Sequence, residues 1–425
     1  MMQRSGAGPL PFHEDEPVAF DEALRCFRWD DASTTVSNIE VTTDAGLQIA
    51  VRAFTNEFWT ARQRAAHSLH EISYRACFKP QLPRFFIDRL TVPGDIVYDP
   101  FMGRGTTLIE AGLMGRRPYG CDVNPLSRVL CEPRLRPPTL AEVERALAAV
   151  DFSRADDMPE ELLVFYHPDT LRQISALRRH LLLRERAGAL SAADCWVRMA
   201  AVNRLTGHSP GFFSVYTLPP NQAVSARAQA KINSRLDQDP PRRDVAAIIL
   251  KKSRSLLRDV TPEIRSRLAT IADKSRFVIG ASADTPQLES NSIALAVTSP
   301  PFLDVVDYKS DNWLRCWFSG IDAAEVAVTL DKHVEAWKEF VRITLTELRR
   351  TLRPGGHVAF EVGEVRGGAL RLEEIVIPAG VAAGLEPVLV LVNAQRFTKT
   401  ANCWGVANNR KGTNTNRVVL FRKTG

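Results

Sequence analysis

Asp95-Ile-Val-Tyr-Asp99-Pro-Phe-Met-Gly103-Arg-Gly105-Thr-Thr-Leu-Ile-Glu110 reads as a strand, a tight turn and the start of a helix. Ile96 to Tyr98 make a short apolar strand that ends on an acid, and Leu108 to Met114 read as helix. The glycines between them let the chain reverse and let a ligand approach the backbone closely. The helix N-terminus then turns its free N–H groups toward that ligand. A second strand, Arg117-Pro-Tyr-Gly-Cys-Asp122-Val-Asn-Pro125, ends in an acid 23 positions after Asp99. In nucleotide-binding α/β folds an acid at that place accepts hydrogen bonds from ribose hydroxyls. A nicotinamide dinucleotide calls for a third glycine where this chain has Leu108, so that cofactor is disfavoured.

Outward from this unit the strand pattern continues. Ile293-Ala-Leu-Ala-Val-Thr298 is an interior strand stopped by Ser299-Pro300-Pro301-Phe302. The two prolines end the ladder and hold the backbone extended. Ser299 Oγ and the freed carbonyls offer acceptors beside the flat face of Phe302, a holder for a planar amine such as a nucleobase. Phe277-Val-Ile-Gly-Ala-Ser-Ala-Asp284 is another apolar strand ending in a small turn and an acid. Ala336 to Leu352 is an amphipathic helix, and Arg353-Pro-Gly-Gly leads into a strand ending near Gly363. Leu385 to Phe397 and Asn416 to Arg422 are two more strands. Strands alternating with helices predict an α/β, doubly wound parallel sheet. The last two strands have only a loop between them, so they are expected to pair antiparallel.

Asp-Pro-Phe-x-Gly-x-Gly-Thr-Thr followed by Ser-Pro-Pro-Phe resembles the DNA amino-methyltransferases, above all the cytosine-N4 group. The adenine-N6 relatives mostly carry Asp or Asn where this chain has Ser299. The resemblance covers roughly residues 60–135 and 277–423. It implies a Rossmann-like seven-stranded methyltransferase sheet with helices on both faces, an antiparallel last strand and an inserted, mainly helical target-recognition region. It implies S-adenosyl-L-methionine as cofactor, held by Phe78, Pro80, Asp99, Pro100, Phe101, Gly103, Gly105, Thr106, Thr107, Asp122, Asn124, Asp284 and Thr298. Asp284 stands where relatives often bind the adenine amino group, and Ala294 replaces an acid usual in the next strand. Met102 and Arg104 depart from the commoner small residues of the loop and are expected to point outward. The element from His67 to Leu90 resembles the cover over the methionine end of the cofactor, with Ala76-Cys77-Phe78 where many relatives have Ala-Lys-Phe. Ser299, Pro300, Pro301 and Phe302 are the implied catalytic residues. Adenine-N6 methylation is the nearest alternative, RNA methylation a more distant one, and an inactive DNA-binding protein on the same fold a third.

Composition agrees. A chain of 425 residues with 45% hydrophobic content can bury a sizeable core. No run of apolar residues reaches membrane-spanning length, and no membrane is expected as partner. The polar start, Met1 to Glu16, has no signal-peptide core, and residues 1–40 are expected to be flexible. The seven cysteines lack paired spacing, which suits a reducing, cytoplasmic setting, and a DNA partner would place the chain near the nucleoid. No Pro-Cys motif offers the nucleophile that cytosine-C5 methylation needs. His67 and His70 lack partners for a zinc set, so no metal is expected.

The net charge of +6 suits a polyanion. From Gln222 to Arg276 there are 13 Lys/Arg against 6 Asp/Glu. Residues 41–135 and 277–425 are read as two parts of a catalytic domain, separated by a recognition region at 136–276. Thr139 to Val150, Asp169 to Arg186 and Ala192 to Leu205 are expected helices there. Gly207 to Gln222 is a loop rich in glycine, proline, amides and aromatics. Ser209, Tyr216, Asn221 and Gln222 are its candidate base readers, and Arg242, Arg243, Lys251 and Lys252 the candidate phosphate contacts. Long insertions of this kind usually carry function. The expected partner is double-stranded DNA with a specific recognition sequence, and a cognate restriction endonuclease acting separately is a possible second.

Overall fold

A computed structural model describes residues 20–29, 31–59, 66–74, 77–155, 157–217, 224–301, 308–324, 326, 333–365, 370–394 and 415–425. The described residues begin with α1 (Phe20–Cys26), the short pair β1 (Arg28–Trp29) and β2 (Ala32–Ser33), and the hairpin β3 (Thr35–Thr42) and β4 (Gln48–Asn56). Then come α2 (Gln81–Leu90), β5 (Ile96–Asp99), α3 (Thr106–Leu113), β6 (Arg117–Asp122) and α4 (Leu126–Leu135). The helical stretch is α5 (Leu140–Ala148), α6 (Pro168–Arg186), α7 (Ala192–Val202), α8 (Ala226–Leu236), α9 (Val245–Leu256) and α10 (Pro262–Ala272). The chain closes with β7 (Arg276–Ile279), β8 (Ile293–Thr298), α11 (Tyr308–Ser319), α12 (Val334–Thr351), β9 (Leu352–Val362), the pair β10 (Glu364–Val365) and β11 (Leu370–Arg371), α13 (Glu373–Ala382), β12 (Glu386–Ala394) and β13 (Thr415–Arg422).

The main sheet runs β3-β4-β12-β13-β9-β8-β5-β6-β7. Its last seven members are the seven expected strands. β5, β6, β7, β8 and β9 run parallel to one another, and β13 is antiparallel to both β12 and β9, as the sequence led us to expect. The N-terminal hairpin adds two strands that the sequence reading missed: β4 pairs parallel with β12, placing Ala53 against Val390. Residues 20–40, expected to be flexible, therefore carry a helix and strands. Alternation in β3 is blurred, with one buried residue in eight, which is why the periodic signal was weak there.

The sheet is covered on both faces. Tyr98, Ala296, Phe360 and Phe421 face Trp337, Val341 and Leu345 of α12 and Val376 of α13. Val97, Leu295, Val297 and Ala359 face Phe85 and Phe86 of α2 and Leu24 of α1. A third apolar cluster joins Ile109 of α3 and Leu130 of α4 to Leu177, Trp196, Ile249, Leu268 and, on α11, Leu314. The helices of 136–276 thus share one core with the cofactor-side helices. α10, expected within the recognition region, packs on α3, α4 and β6 and is part of the crossover into β7.

Candidate active site

β5 is the first strand of the sheet's parallel half. The chain winds from it to β6 and β7 on one side, then returns through β8 and β9 on the other. The gap between the carboxyl ends of β5 and β8 is the place where such sheets open a crevice. Two hydrogen bonds close its floor. Thr298 Oγ1, at the end of β8, donates to Asp99 Oδ1 at 2.6 Å, and Thr107 Oγ1 of α3 donates to the Val297 carbonyl at 3.0 Å.

The glycine turn sits above. Gly103 and Gly105 have φ of 46° and 74°, the left-handed region that favours glycine. A Cβ on Gly105 would also run into Cys131 Sγ. The Gly103 N–H donates to Asp122 Oδ2 at 2.9 Å, and the Asn124 N–H donates to Asp122 Oδ1 at the same distance. Asp122 therefore braces the turn from the end of β6. The turn and acids border a cavity of about 540 Å³. Burial pushes Asp99 up to about 7, against the hydrogen bonds from Thr298 and the Phe101 N–H. Burial likewise lifts Asp122 to about 6.

The Ser-Pro-Pro turn forms the opposite wall. Ser299 and Pro301 line the cavity. Trp337 Nε1 of α12 donates to the Pro301 carbonyl at 2.9 Å and anchors the turn. On β9, next to β8, Phe360 stands opposite Thr298, so Glu361 falls beside Ser299. The buried Glu361 carboxylate accepts hydrogen bonds from the Ser299 hydroxyl and from Asn416 Nδ2 of β13, the latter at 2.9 Å. Burial holds its pKa above the usual carboxylate range against those two bonds. With its own hydrogen directed to Glu361, Ser299 Oγ keeps its lone pairs for another donor.

The structure brings most of the expected cofactor residues together. Phe78, Asp99, Pro100, Phe101, Gly103, Thr106, Asp122 and Asn124 all line the cavity. Gly105, Thr107 and Thr298 act one layer behind, as cap, tie and floor. Pro80 is buried as the N-terminal cap of α2, away from the lining. Asp284 is a correction: it is exposed and outside the lining, which is made instead by Ile279 to Ala283 just before it. The turn carries the acid past the rim. Met102 and Arg104 are also corrected, since both are buried. Arg104 donates to the Ile72 carbonyl at 2.9 Å and the Phe78 carbonyl at 3.5 Å, tying the cover segment to the turn. Pro300 is buried. Phe302 lies outside the described residues.

Sequence reasoning missed Tyr74, Cys77, Phe340, Ile343 and Glu361. Phe340 stacks at a tilt on Phe101, ring centroids 5.6 Å apart. The small run Gly280-Ala-Ser-Ala was a readable sign of close approach; helix periodicity gave no sign of Phe340. His67 accepts from the Leu69 N–H and lies 3.1 Å from the Asp259 carbonyl, while His70 lies 3.5 Å from Glu110.

Of the candidate DNA contacts, Ser209, Arg242 and Lys251 are exposed. Tyr216 is half-buried and its carbonyl accepts from Gln229 and Gln238. Arg243 is bound into the α6 contact through Thr170 Oγ1, 2.7 Å from its N–H. Lys252 is corrected: it turns inward and donates to the Glu71 carbonyl. Asn221 and Gln222 lie outside the described residues. Among the described residues no helix is long and apolar enough to cross a membrane.

Residues 24–127 match the model of a family described as DNA methylase, the N6/N4 amino-methyltransferases. The Type II methyltransferase M.MjaII of Methanocaldococcus jannaschii is 35% identical over 86 residues, 20% of this chain and 16% of that protein. M.MvaI of Kocuria varians is 33% identical over 111 residues, 25% of this chain and 23% of that one. M.BsoBI of Geobacillus stearothermophilus is 20% identical over 331 residues, 72% of this chain and 64% of that one. The matched stretches thus span less than two thirds of each relative's own length.

Proposed function

We propose that this chain, whose residues 24–127 match the N6/N4 DNA methylase model, is a DNA amino-methyltransferase that methylates the exocyclic N4 of a cytosine extruded from a specific duplex DNA sequence. The reading rests above all on one bond, Thr298 to Asp99, which joins the Ser-Pro-Pro turn to the glycine turn across a single cavity. S-adenosyl-L-methionine, when bound, supplies an electrophilic methyl group on a sulfonium. The cavity fits it: buried carboxyls at Asp99 and Asp122 suit a cationic centre and ribose hydroxyls, and Phe101 with Phe340 offers an apolar slot for a purine.

The amine of cytosine is a poor nucleophile because its lone pair is delocalised into the ring. Ser299 Oγ and the Pro300 carbonyl accept its two hydrogens, which favours a pyramidal nitrogen with the lone pair free. When the nitrogen has gained its methyl it carries a positive charge and sheds a proton. That proton passes to Ser299 Oγ as the serine hydrogen moves to Glu361. Catalysis on this account is positioning and charge relief, with no covalent intermediate. The base must leave the stack to reach the turn, and Phe302 is proposed to lie against it. The exposed tip His208-Ser209-Pro210 and the exposed cations Arg242 and Lys251 are the proposed DNA-facing parts of the 136–276 region. A separately acting endonuclease of the same specificity is the partner this reading implies. Ser299, rather than Asp or Asn, supports cytosine over adenine. Plasmid DNA methylated by the protein, digested to nucleosides and separated, should yield N4-methylcytosine. N6-methyladenine as the product would overturn the base assignment, and an unmodified digest would overturn the reading.

A further inference from the structure

The cover segment enters the cavity at Tyr74, one of its lining residues. Cation-bearing elements hold it on the way in. Lys252 of α9 donates to the Glu71 carbonyl. Asn203, just after α7, accepts from the Ser73 N–H at 2.9 Å. Arg315 of α11 lies with its guanidinium 5.8 Å from the Tyr74 ring centroid. Arg204 follows Asn203, stacks its guanidinium 4.0 Å from the Phe212 ring centroid and donates through Nε to the Asn203 carbonyl at 2.6 Å. Three cations therefore lie along the segment that runs from Glu71 to the cavity residue Tyr74.

The countercharges nearby are mostly committed. Glu71 is held by Arg258 at 2.8 Å and by Ser255 at 2.9 Å, and Asp311 acts on Arg315. Burial lowers Arg204 to about 10, and the charged neighbour that adds to this is Arg315, another cation. Burial, joined by the charge of Arg204, lowers Lys252 to about 8. Like charges brought together at a partly buried place are stabilised by a bound anion. A guanidinium pre-oriented on an aromatic face suits the planar, forked contact that a phosphate accepts. The loop beyond Arg204, Phe212's partner, is exposed at His208, Ser209 and Pro210, and the His208 ring lies 6.2 Å from that of Phe212.

We propose that Arg204, flanked by Lys252 and Arg315, binds a backbone phosphate of duplex DNA adjoining the extruded base, and so fixes the strand at the cavity wall; this rests on the DNA methyltransferase reading above. The test uses the full chain, mixed-sequence duplex DNA and a salt titration of binding. Each phosphate contact contributes about one unit of slope to log affinity against log salt. Arg204→Ala should flatten the slope by about one, and Arg204→Lys, which keeps the charge but not the planar fork, should restore it. Calorimetric binding of S-adenosylmethionine should match wild type in both, showing an intact fold. An unchanged slope in Arg204→Ala, or a lysine variant that behaves like alanine, would overturn the phosphate site. Wild-type protein that neither binds nor methylates DNA would instead overturn the functional reading beneath it.

Discussion

Ser299 and Glu361 show how one hydrogen bond gives a side chain a direction. A serine hydroxyl alone can donate or accept. With Glu361 taking its hydrogen, Ser299 is left as an acceptor facing the cavity. Glu361→Gln should slow single-turnover methylation on the order of a hundredfold, the scale of one preorganised hydrogen bond, while leaving cofactor affinity unchanged. Because burial raises the Glu361 pKa, wild-type activity should fall as pH drops through that raised value, and the glutamine variant should lose this acid limb. A pH–rate profile of the variant with the acid limb intact would remove Glu361 from the proton path. Asp122 is the corresponding test on the cofactor side. Asp122→Ala deletes the acceptor of the Gly103 and Asn124 N–H groups and should weaken S-adenosylmethionine binding by about 1–3 kcal/mol in calorimetry.

At the scale of elements, the β5–α3 unit is the most constrained part of the site. Gly105 combines a left-handed backbone with a neighbour, Cys131, that occupies the space a side chain would need. Gly105→Ala should cost about 2–4 kcal/mol in denaturant unfolding, from backbone strain plus overpacking. Adding Cys131→Ala should return the steric share and leave the backbone share. No recovery in the double variant would mean that the conformation, and not the packing, dictates glycine. The basic stretch teaches the opposite lesson about counting. Several of its cations already have partners within the chain: Arg265 the Pro137 carbonyl, Arg267 that of Leu113, Arg258 Glu71. A charge excess read along the chain therefore overstates the charge offered to DNA.

For the whole molecule, the buried carboxyls make stability depend on pH in an unusual sense. Asp99 near 7 and Asp122 near 6 lie above the roughly 3.9 of an unfolded aspartate. Between about pH 4 and 7 the folded chain holds the extra protons, so these two groups favour folding more as pH falls. His357, lowered to about 4 by burial, works the other way, so the total curve mixes both signs. The comparison with Asp99→Asn isolates one group. The variant should be more stable relative to wild type at pH 8 than at pH 5, read as a melting-temperature difference that shrinks or reverses with acid. A difference that does not vary with pH would mean that Asp99 is ionised throughout that range.

The sequence by itself determined the winding of the sheet and the two turns that face each other across it. Apolar runs of strand length, a glycine turn before a helix and two prolines after a strand act within a few residues, where local sterics decide conformation. The pairing of β12 with β13 followed the same way, because the sequence between them carries no helical pattern of the kind a crossover to a parallel partner uses. Tertiary structure alone decided what stands behind those turns. Glu361 reaches Ser299 because two strands far apart in sequence lie side by side, and Phe340 reaches Phe101 because α12 packs over that face. The inward course of Arg104 and Lys252 was equally invisible, since a long cationic side chain reads as solvent-facing until buried carbonyls such as those of Ile72 and Glu71 are placed beside it. Contacts between distant segments depend on register and helix packing, and no local pattern in the chain encodes them.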